Sequence, residues 1–211
     1  MAARVFALFL TVFTLTSAVV NADDESAAWK EFPSPNGLYA IRLREGFAIG
    51  NCRYNQAELV ERKTGKQLFD FDPMKDTTDG GYEDRSVVWS PGSSAGALYK
   101  HCHRSGAPLV VMIADGTVKP CSMPEINLPH NDKPANDGRW VQDWVTPKKW
   151  ASEKVLVLSD SGLIQQQKGV AAWIRYDYAL KIAFDENGGG VLKSLKCTDF
   201  DKDKAWLRQR K

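Results

Sequence analysis

The chain has few of the residues that catalytic and metal sites use most. Histidine occurs only three times in 211 residues, as His101, His103 and His130. The four cysteines include no Cys-x-x-Cys pair, so their spacing supports neither a redox motif nor a zinc knuckle. These scarcities favour a protein without catalysis of its own, and we predict no cofactor.

An excess of charge of one sign is also lacking. Lys and Arg total 28 and Asp and Glu total 26, which gives a formal net charge of +2. A charge this small produces no field that would attract nucleic acid or an anionic membrane. We therefore predict no nucleic-acid partner. The absence of any Asn-x-Ser/Thr sequon favours a bacterial periplasmic or secreted protein.

A single long apolar run occurs, and it lies at the N-terminus. Arg4 precedes the run Val5–Val20, and small residues up to Ala22 follow it, which is the pattern of a cleavable secretory signal. The run is shorter than the roughly 20 residues that span a bilayer, although an uncleaved anchor is the alternative. We predict a signal peptide over residues 1–22 and a single β-rich domain over 23–211, with no membrane span after cleavage.

The four cysteines of an exported chain are candidates for two disulfides. They are Cys52, Cys102, Cys121 and Cys197. We favour Cys102–Cys121, because the residues between them can fold back as hairpins, and Cys52–Cys197 by default. Free buried thiols are the alternative, since cysteine is a common small core residue.

Short β-branched and aromatic runs dominate the remaining sequence and predict an all-β fold. Lys63–Lys66 and Asp115-Gly116 are typical of tight hairpin turns, in which glycine accepts positive φ. No βαβ alternation occurs, so a doubly wound sheet is not predicted. The main strand candidates are residues 38–43, 58–62, 67–71, 86–89, 97–101, 109–113, 154–158 and 178–184.

Three Ser/Thr-Pro dipeptides lie at equal spacing. They begin at Ser34, Ser90 and Thr146, so that 90 − 34 = 56 and 146 − 90 = 56. An aromatic residue stands just before each dipeptide. A fixed period near 50 residues is typical of blade-like β repeats, in which one small sheet recurs along the chain. We therefore predict that the three dipeptides begin equivalent turns.

At these residues the sequence resembles the WD-repeat-like β-propellers of the TolB type, in which Trp-Ser-Pro-Asp-Gly-Lys turns precede an inner strand. The segments Phe32–Leu43 and Val88–Tyr99 are most similar to that pattern, whereas the copy from Thr146 carries extra residues before its strand. The resemblance implies about three blade-like antiparallel sheet units. Four or more blades are needed to close a ring, so it implies a partial or irregular propeller. A β-sandwich-like arrangement is the alternative.

The segment Gly92–Gly96 matches the Gly-x-Ser-x-Gly pattern of serine hydrolases. That motif needs a strand that runs directly into a strained turn and then a helix. Here Pro91 interrupts the strand, and the following residues predict another strand. The order Ser94, Asp115, His130 would allow a triad, but the surrounding pattern favours a turn without catalysis.

His101 and His103 are the densest pair of candidate metal ligands. In a strand, residues i and i+2 point to the same face, so both imidazoles could contact one metal ion. Two ligands do not make a site, and partly exposed histidines at a strand end are the alternative.

Seven tryptophans are many for this length, and Trp140, Trp144 and Trp150 fall in one stretch. Exposed aromatic rings can stack on sugars or on peptide partners, so these three are candidates for ligand stacking. Burial in the core is the alternative.

Together these features predict an exported β-repeat module, secreted or periplasmic, for binding or interaction. Its partner would be a protein or a carbohydrate, with no catalysis of its own. The alternative is a periplasmic hydrolase or metal-dependent enzyme that uses His101 and His103.

Overall fold

The computed structural model describes residues 28–49, 52–71, 81–82, 86–102, 105–126, 128, 141–165 and 173–200. The predicted signal segment, residues 1–22, lies outside these ranges. Every regular element within them is a β-strand, so the predicted all-β class is confirmed. No helix in the described ranges is long and apolar enough to cross a membrane.

Thirteen strands are described, and most of them pair with their neighbours in sequence. The strands are β1 (Trp29–Pro33), β2 (Tyr39–Ile49), β3 (Cys52–Glu61), β4 (Gln67–Asp70), β5 (Gly81–Tyr82), β6 (Val88–Trp89), β7 (Ala95–Cys102), β8 (Ser105–Ala114), β9 (Thr117–Pro120), β10 (Val141–Ser152), β11 (Val155–Gln165), β12 (Trp173–Phe184) and β13 (Gly190–Phe200).

The pairings define three four-stranded antiparallel meanders. Meander 1 contains β1–β4, meander 2 contains β6–β9, and meander 3 contains β10–β13. Short pairings connect them: β5 lies between β3 and β7, and β10 runs parallel to β8 for two residues. The strand order begins at β1 and ends at β13, so these two strands are the ends of the connected sheet.

Two apolar layers lie on opposite faces of meander 2. Val110 of β8 contributes to the layer shared with meander 3, and Val111 contributes to the layer shared with meander 1. Meander 2 is therefore packed between the other two. A strand buried on both faces has no need of alternating polar residues. This explains the uninterrupted apolar run Leu109–Ile113.

The turns that begin at Ser34 and Ser90 have the same geometry. In each turn the serine N–H and hydroxyl bond to the residue five positions later, at 2.9 to 3.1 Å, and the pairs are Ser34 with Tyr39 and Ser90 with Ala95. The fourth residue of each turn has positive φ, 72° at Gly37 and 68° at Ser93. Two turns offset by 56 residues therefore share one hydrogen-bonding pattern.

The third predicted turn, at Thr146, is corrected by the structure. Thr146 and Pro147 lie inside β10, where they pair with Ser159 and Leu158. Proline donates no ladder hydrogen bond, and a register shift directly after Pro147 accommodates it. The hairpin of this meander instead turns at Glu153 and the residue after it.

In each meander the turn between the first two strands lies at the same end of the molecule, and these three turns contact one another. The N–H of Asn36 donates to Ser93 Oγ at 2.9 Å and joins the first turn to the second. The hydroxyls of Ser90 and Ser94 donate to Glu153 Oε2 at 2.9 and 2.6 Å. These two bonds join the second turn to the third, which is the turn at Glu153. We call this end the turn end.

Neither predicted disulfide is present, because Cys121 and Cys197 are free thiols. Cys102 pairs with Ser105 on β8, whereas the N–H of Cys121 bonds to Val110 on the same strand. The two positions are 110 − 105 = 5 residues apart along β8, which is roughly 16 Å and far beyond the roughly 7 Å between the Cα atoms of a disulfide.

The second predicted pair is separated by the packing of the sheets. Cys52 begins β3 in meander 1, and Cys197 lies on β13 in meander 3. Meander 2 is packed between these two meanders, and face-to-face sheets lie about 10 Å apart. A bond between Cys52 and Cys197 would have to cross two such spacings.

Candidate functional site

The end of the molecule opposite the turn end collects several candidate residues. His101 lies near the end of β7 and pairs with Gly106 on β8, and Gly106 in turn pairs with Trp144 on β10. Three neighbouring strands therefore bring His101 and Trp144 into one region. The predicted candidates Trp140, His103 and His130 lie outside the described residues.

A shallow cleft of about 200 Å³ lies at this end, on meander 3. Antiparallel pairing places Trp144 opposite Ser161, and Leu163 opposite Arg175. Residues i and i+2 of a strand share a face, so Ser161 and Leu163 of β11 project to the same side. We call this site the Trp144 cleft, and its lining residues are Trp144, Ser161, Gly162, Leu163 and Arg175.

An ion pair borders the cleft. Arg175 Nε donates to Asp177 Oδ2 at 3.2 Å, and both residues project from the same face of β12. The Arg175 side chain is 65% exposed, so its guanidinium remains accessible to a ligand. An ion pair with one exposed partner contributes at most about 1 kcal/mol to the stability of the fold.

Two aspartates and a tyrosine lie on the same strands but away from the cleft face. Asp160 is only 3% exposed, and its Oδ1 has no hydrogen-bond partner among the described residues. Burial and, second, the nearby charge of Asp143 together raise the pKa of Asp160 to about 6, while the nearby Tyr176 side chain opposes the shift. Burial also raises the pKa of Asp143. Asp160 is therefore enclosed in the packed layer between meanders 2 and 3, whereas Asp143 is only half-buried.

His101 lies against an aromatic neighbour. Its Nδ1 is 3.4 Å from Tyr99 Oη, and the two ring centroids are 6.1 Å apart. Gly106 makes room for this arrangement, because a Cβ at that position would lie 2.0 Å from Tyr99 Oη. No group of three or more His, Cys, Asp or Glu side chains in the described ranges converges as metal ligands would.

Trp150, a predicted stacking residue, is corrected by the structure. It is 7% exposed and belongs to the layer between meanders 2 and 3. Its indole N–H donates to the carbonyl oxygen of Val88 at 3.3 Å, and its ring lies 6.0 Å from that of Phe184. Trp150 pairs with buried Leu156, so the β10–β11 register directs both side chains inward. It therefore presents no ring to a ligand.

The Gly-x-Ser-x-Gly segment forms a turn without the geometry of a nucleophile. Ser94 donates its hydroxyl hydrogen to Glu153, and this bond contributes most to lowering the pKa of the Glu153 carboxyl. A carboxylate with a lowered pKa is a weak base and does not activate a serine. Asp115 is exposed in the β8–β9 hairpin turn.

Sequence patterns gave no indication of Asp143, Asp160, Arg175 or Glu153 as residues of interest. Each is an ordinary charged residue in the sequence, and only strand register brings Asp143 close to Asp160 and places Arg175 beside Trp144. Alternation along β11 was the one available signal, since it predicts that Asp160 shares the inward face of Leu158.

Comparison with known proteins gives no assignment of family. No protein-family model matches the chain, and no curated protein matches it in sequence.

Proposed function

We propose that the protein is an exported β-repeat binding module that recognises its ligand through the Trp144 cleft and has no catalysis of its own. The observation that carries this proposal is the cleft, which combines a half-buried aromatic ring with the exposed guanidinium of Arg175, itself paired with Asp177. Ligand sites in proteins commonly combine an apolar surface with a few polar groups. The apolar segment Val5–Val20 supports export and a secreted or periplasmic location.

The arrangement of the meanders supports the repeat part of this proposal. The turns at Ser34 and Ser90 share one hydrogen-bonding pattern, and each connects the first two strands of its meander. These features are in keeping with the resemblance to TolB-type propellers. The strand order that ends at β1 and β13 favours a partial propeller over a closed ring.

We propose that the protein has no catalysis of its own because the two best candidate groups, Ser94 and Asp160, are unsuited to it. Ser94 is held by the weakly basic carboxylate of Glu153. Asp160 has a pKa suited to acid–base chemistry, but at 3% exposure it is not accessible to a substrate. The binding role therefore accounts for more of the geometry than a hydrolytic role does.

A binding screen with a matched control tests the proposal. The exported protein would be immobilised and probed with peptide and glycan panels, as wild type, Trp144→Ala and Trp29→Ala. Trp29 is the control because it is also half-buried, but lies in meander 1 with Arg42 5.1 Å from its ring. We expect binding that Trp144→Ala abolishes and Trp29→Ala retains. Equal binding by both variants, or turnover of ester, peptide or glycoside substrates, would contradict the proposal.

A further inference from the structure

The chemistry of the Trp144 cleft selects one class of ligand. Resting on the proposed function, we infer that the cleft binds one ring of a neutral carbohydrate. A sugar ring presents C–H groups on its flat face and hydroxyl groups around its edge. The indole of Trp144 offers an apolar platform for the face, and Ser161 and Arg175 offer polar groups for the edge.

The charges around the cleft disfavour an anionic ligand. Among the described residues that line the cleft, Arg175 is the one cation, and its guanidinium is already paired with Asp177. Asp199 of β13 lies directly opposite Asp177, a position at which Cβ atoms are about 5 Å apart. In the part of the chain that the structure describes, one cation therefore faces two acids, so a carboxylate or phosphate would meet a net negative charge there. This charge balance disfavours acidic sugars and phosphorylated ligands.

The same ion pair is suited to hydroxyl groups. A guanidinium only donates hydrogen bonds and a carboxylate only accepts them, whereas each sugar hydroxyl does both. Arg175 and Asp177 lie two residues apart on one face of β12, so neighbouring hydroxyls of one ring can contact both. The Ser161 hydroxyl adds a group that donates and accepts.

The size of the cleft limits how much of a ligand it holds. Its volume of about 200 Å³ is smaller than the roughly 300–1,000 Å³ of pockets that enclose drug-sized ligands. One ring fits such a space, and the remainder of an oligosaccharide would lie over the exposed strands. Weak binding follows, because little of the ligand is removed from water.

Titration with neutral and acidic oligosaccharides tests the inference. Neutral gluco-, xylo- and manno-oligosaccharides and a uronic-acid oligosaccharide would be titrated separately by calorimetry. We expect binding of at least one neutral series and none of the uronate. Trp144→Ala should weaken that binding by at least about tenfold, which corresponds to about 1.4 kcal/mol. Trp29→Ala should leave the dissociation constant unchanged.

A second substitution and a parallel peptide screen separate the outcomes. Asp177→Asn removes a hydrogen-bond acceptor and should weaken neutral-sugar binding. It also frees Arg175, so the uronate should be less strongly disfavoured than in the wild type. An unchanged urea midpoint would confirm that the variant is folded. Trp144-dependent binding of peptides alone would overturn the carbohydrate inference while leaving the binding-module proposal intact. Absence of any Trp144-dependent ligand would overturn both. If the wild-type protein preferred the uronate to the neutral oligosaccharides, the inference of a neutral ligand would be overturned.

Discussion

The indole N–H of Trp89 donates a hydrogen bond to the backbone carbonyl oxygen of Phe32 at 2.9 Å. This bond joins meander 2 to meander 1. Trp150 makes the corresponding bond from meander 3 to the carbonyl oxygen of Val88 in meander 2, at 3.3 Å. Both acceptors lie two residues before the serine that begins a hairpin turn. The same contact therefore connects each pair of adjacent meanders.

Two substitutions of Trp89 should distinguish how much its hydrogen bond and its packing each contribute to the free energy of unfolding. Trp89→Phe removes the bond to Phe32 but keeps an aromatic ring, so we expect a loss of about 1 kcal/mol in the free energy of unfolding. Trp89→Ala also removes packing against the layer between meanders 1 and 2. It should cost about 3 kcal/mol, the lower end for a large aromatic, because Trp89 is only partly buried. Urea denaturation measures both, and an unchanged midpoint for Trp89→Ala would contradict this role.

The sequence predicts the strand-rich parts of this fold well, because each strand carries its own local signal. Alternation, β-branched runs and glycine turns locate most of meanders 1 and 2. The regular spacing of 56 residues fails at Thr146 because a Ser/Thr-Pro pair is a local preference, and pairing of Pro147 with Leu158 overrides it. The true counterpart of Trp89 is Trp150, at a spacing of 150 − 89 = 61.

The candidate site was harder to predict than the fold. Aromatic clustering in the sequence pointed to Trp144 and Trp150 equally. Only the register shift between Pro147 and Lys149 directs one to the surface cleft and the other to the core. The partner Arg175 comes from a strand about 30 residues later, and no local pattern links the two. Long-range pairing decides such sites, and a single sequence does not contain it.

Glu153 should stabilise the contact between the second and third turns. Its carboxylate accepts bonds from the hydroxyls of Ser90 and Ser94 and from the N–H of Gly92. We expect Glu153→Gln to lower the free energy of unfolding by about 1 kcal/mol at neutral pH, a modest value because the side chain is partly exposed. The lowered pKa of Glu153 means that this stability is present above its unfolded pKa and is lost as the pH falls through the folded pKa.

The control for this substitution is Glu186→Gln. Glu186 also lies in a hairpin turn, but its side chain is 88% exposed and forms an ion pair with Lys154 at 3.5 Å. Exposed ion pairs of this kind contribute little, so its midpoint should not change. Equal effects of the two substitutions in thermal unfolding would show that Glu153 has no special role.

Gly106→Ala should disturb the arrangement of Tyr99 and His101. The added methyl would lie 2.0 Å from Tyr99 Oη and 2.2 Å from its Cζ, so the buried ring must move. We expect a cost of about 2 kcal/mol, as for other overpacked sites. In a Tyr99→Leu background the same substitution should cost much less. A double-mutant cycle from urea midpoints measures this coupling, and additive effects would contradict it.

The buried acid Asp160 should make the protein less stable as the pH rises. Its folded pKa of about 6 is above the ordinary 3.8, so the folded state binds more protons than the unfolded state between these values. The free energy of unfolding should therefore fall across that window, by on the order of 3 kcal/mol, and stay low above it. Asp160→Asn should remove this fall and make the protein more stable than wild type at about pH 7, with little difference at about pH 4.

Asp143→Asn removes a negative charge next to Asp160, so it should shift the pH window to lower pH and make the fall in the free energy of unfolding smaller. Urea midpoints across this range for the three proteins measure the effect, and parallel pH profiles for wild type and Asp160→Asn would show that Asp160 titrates normally.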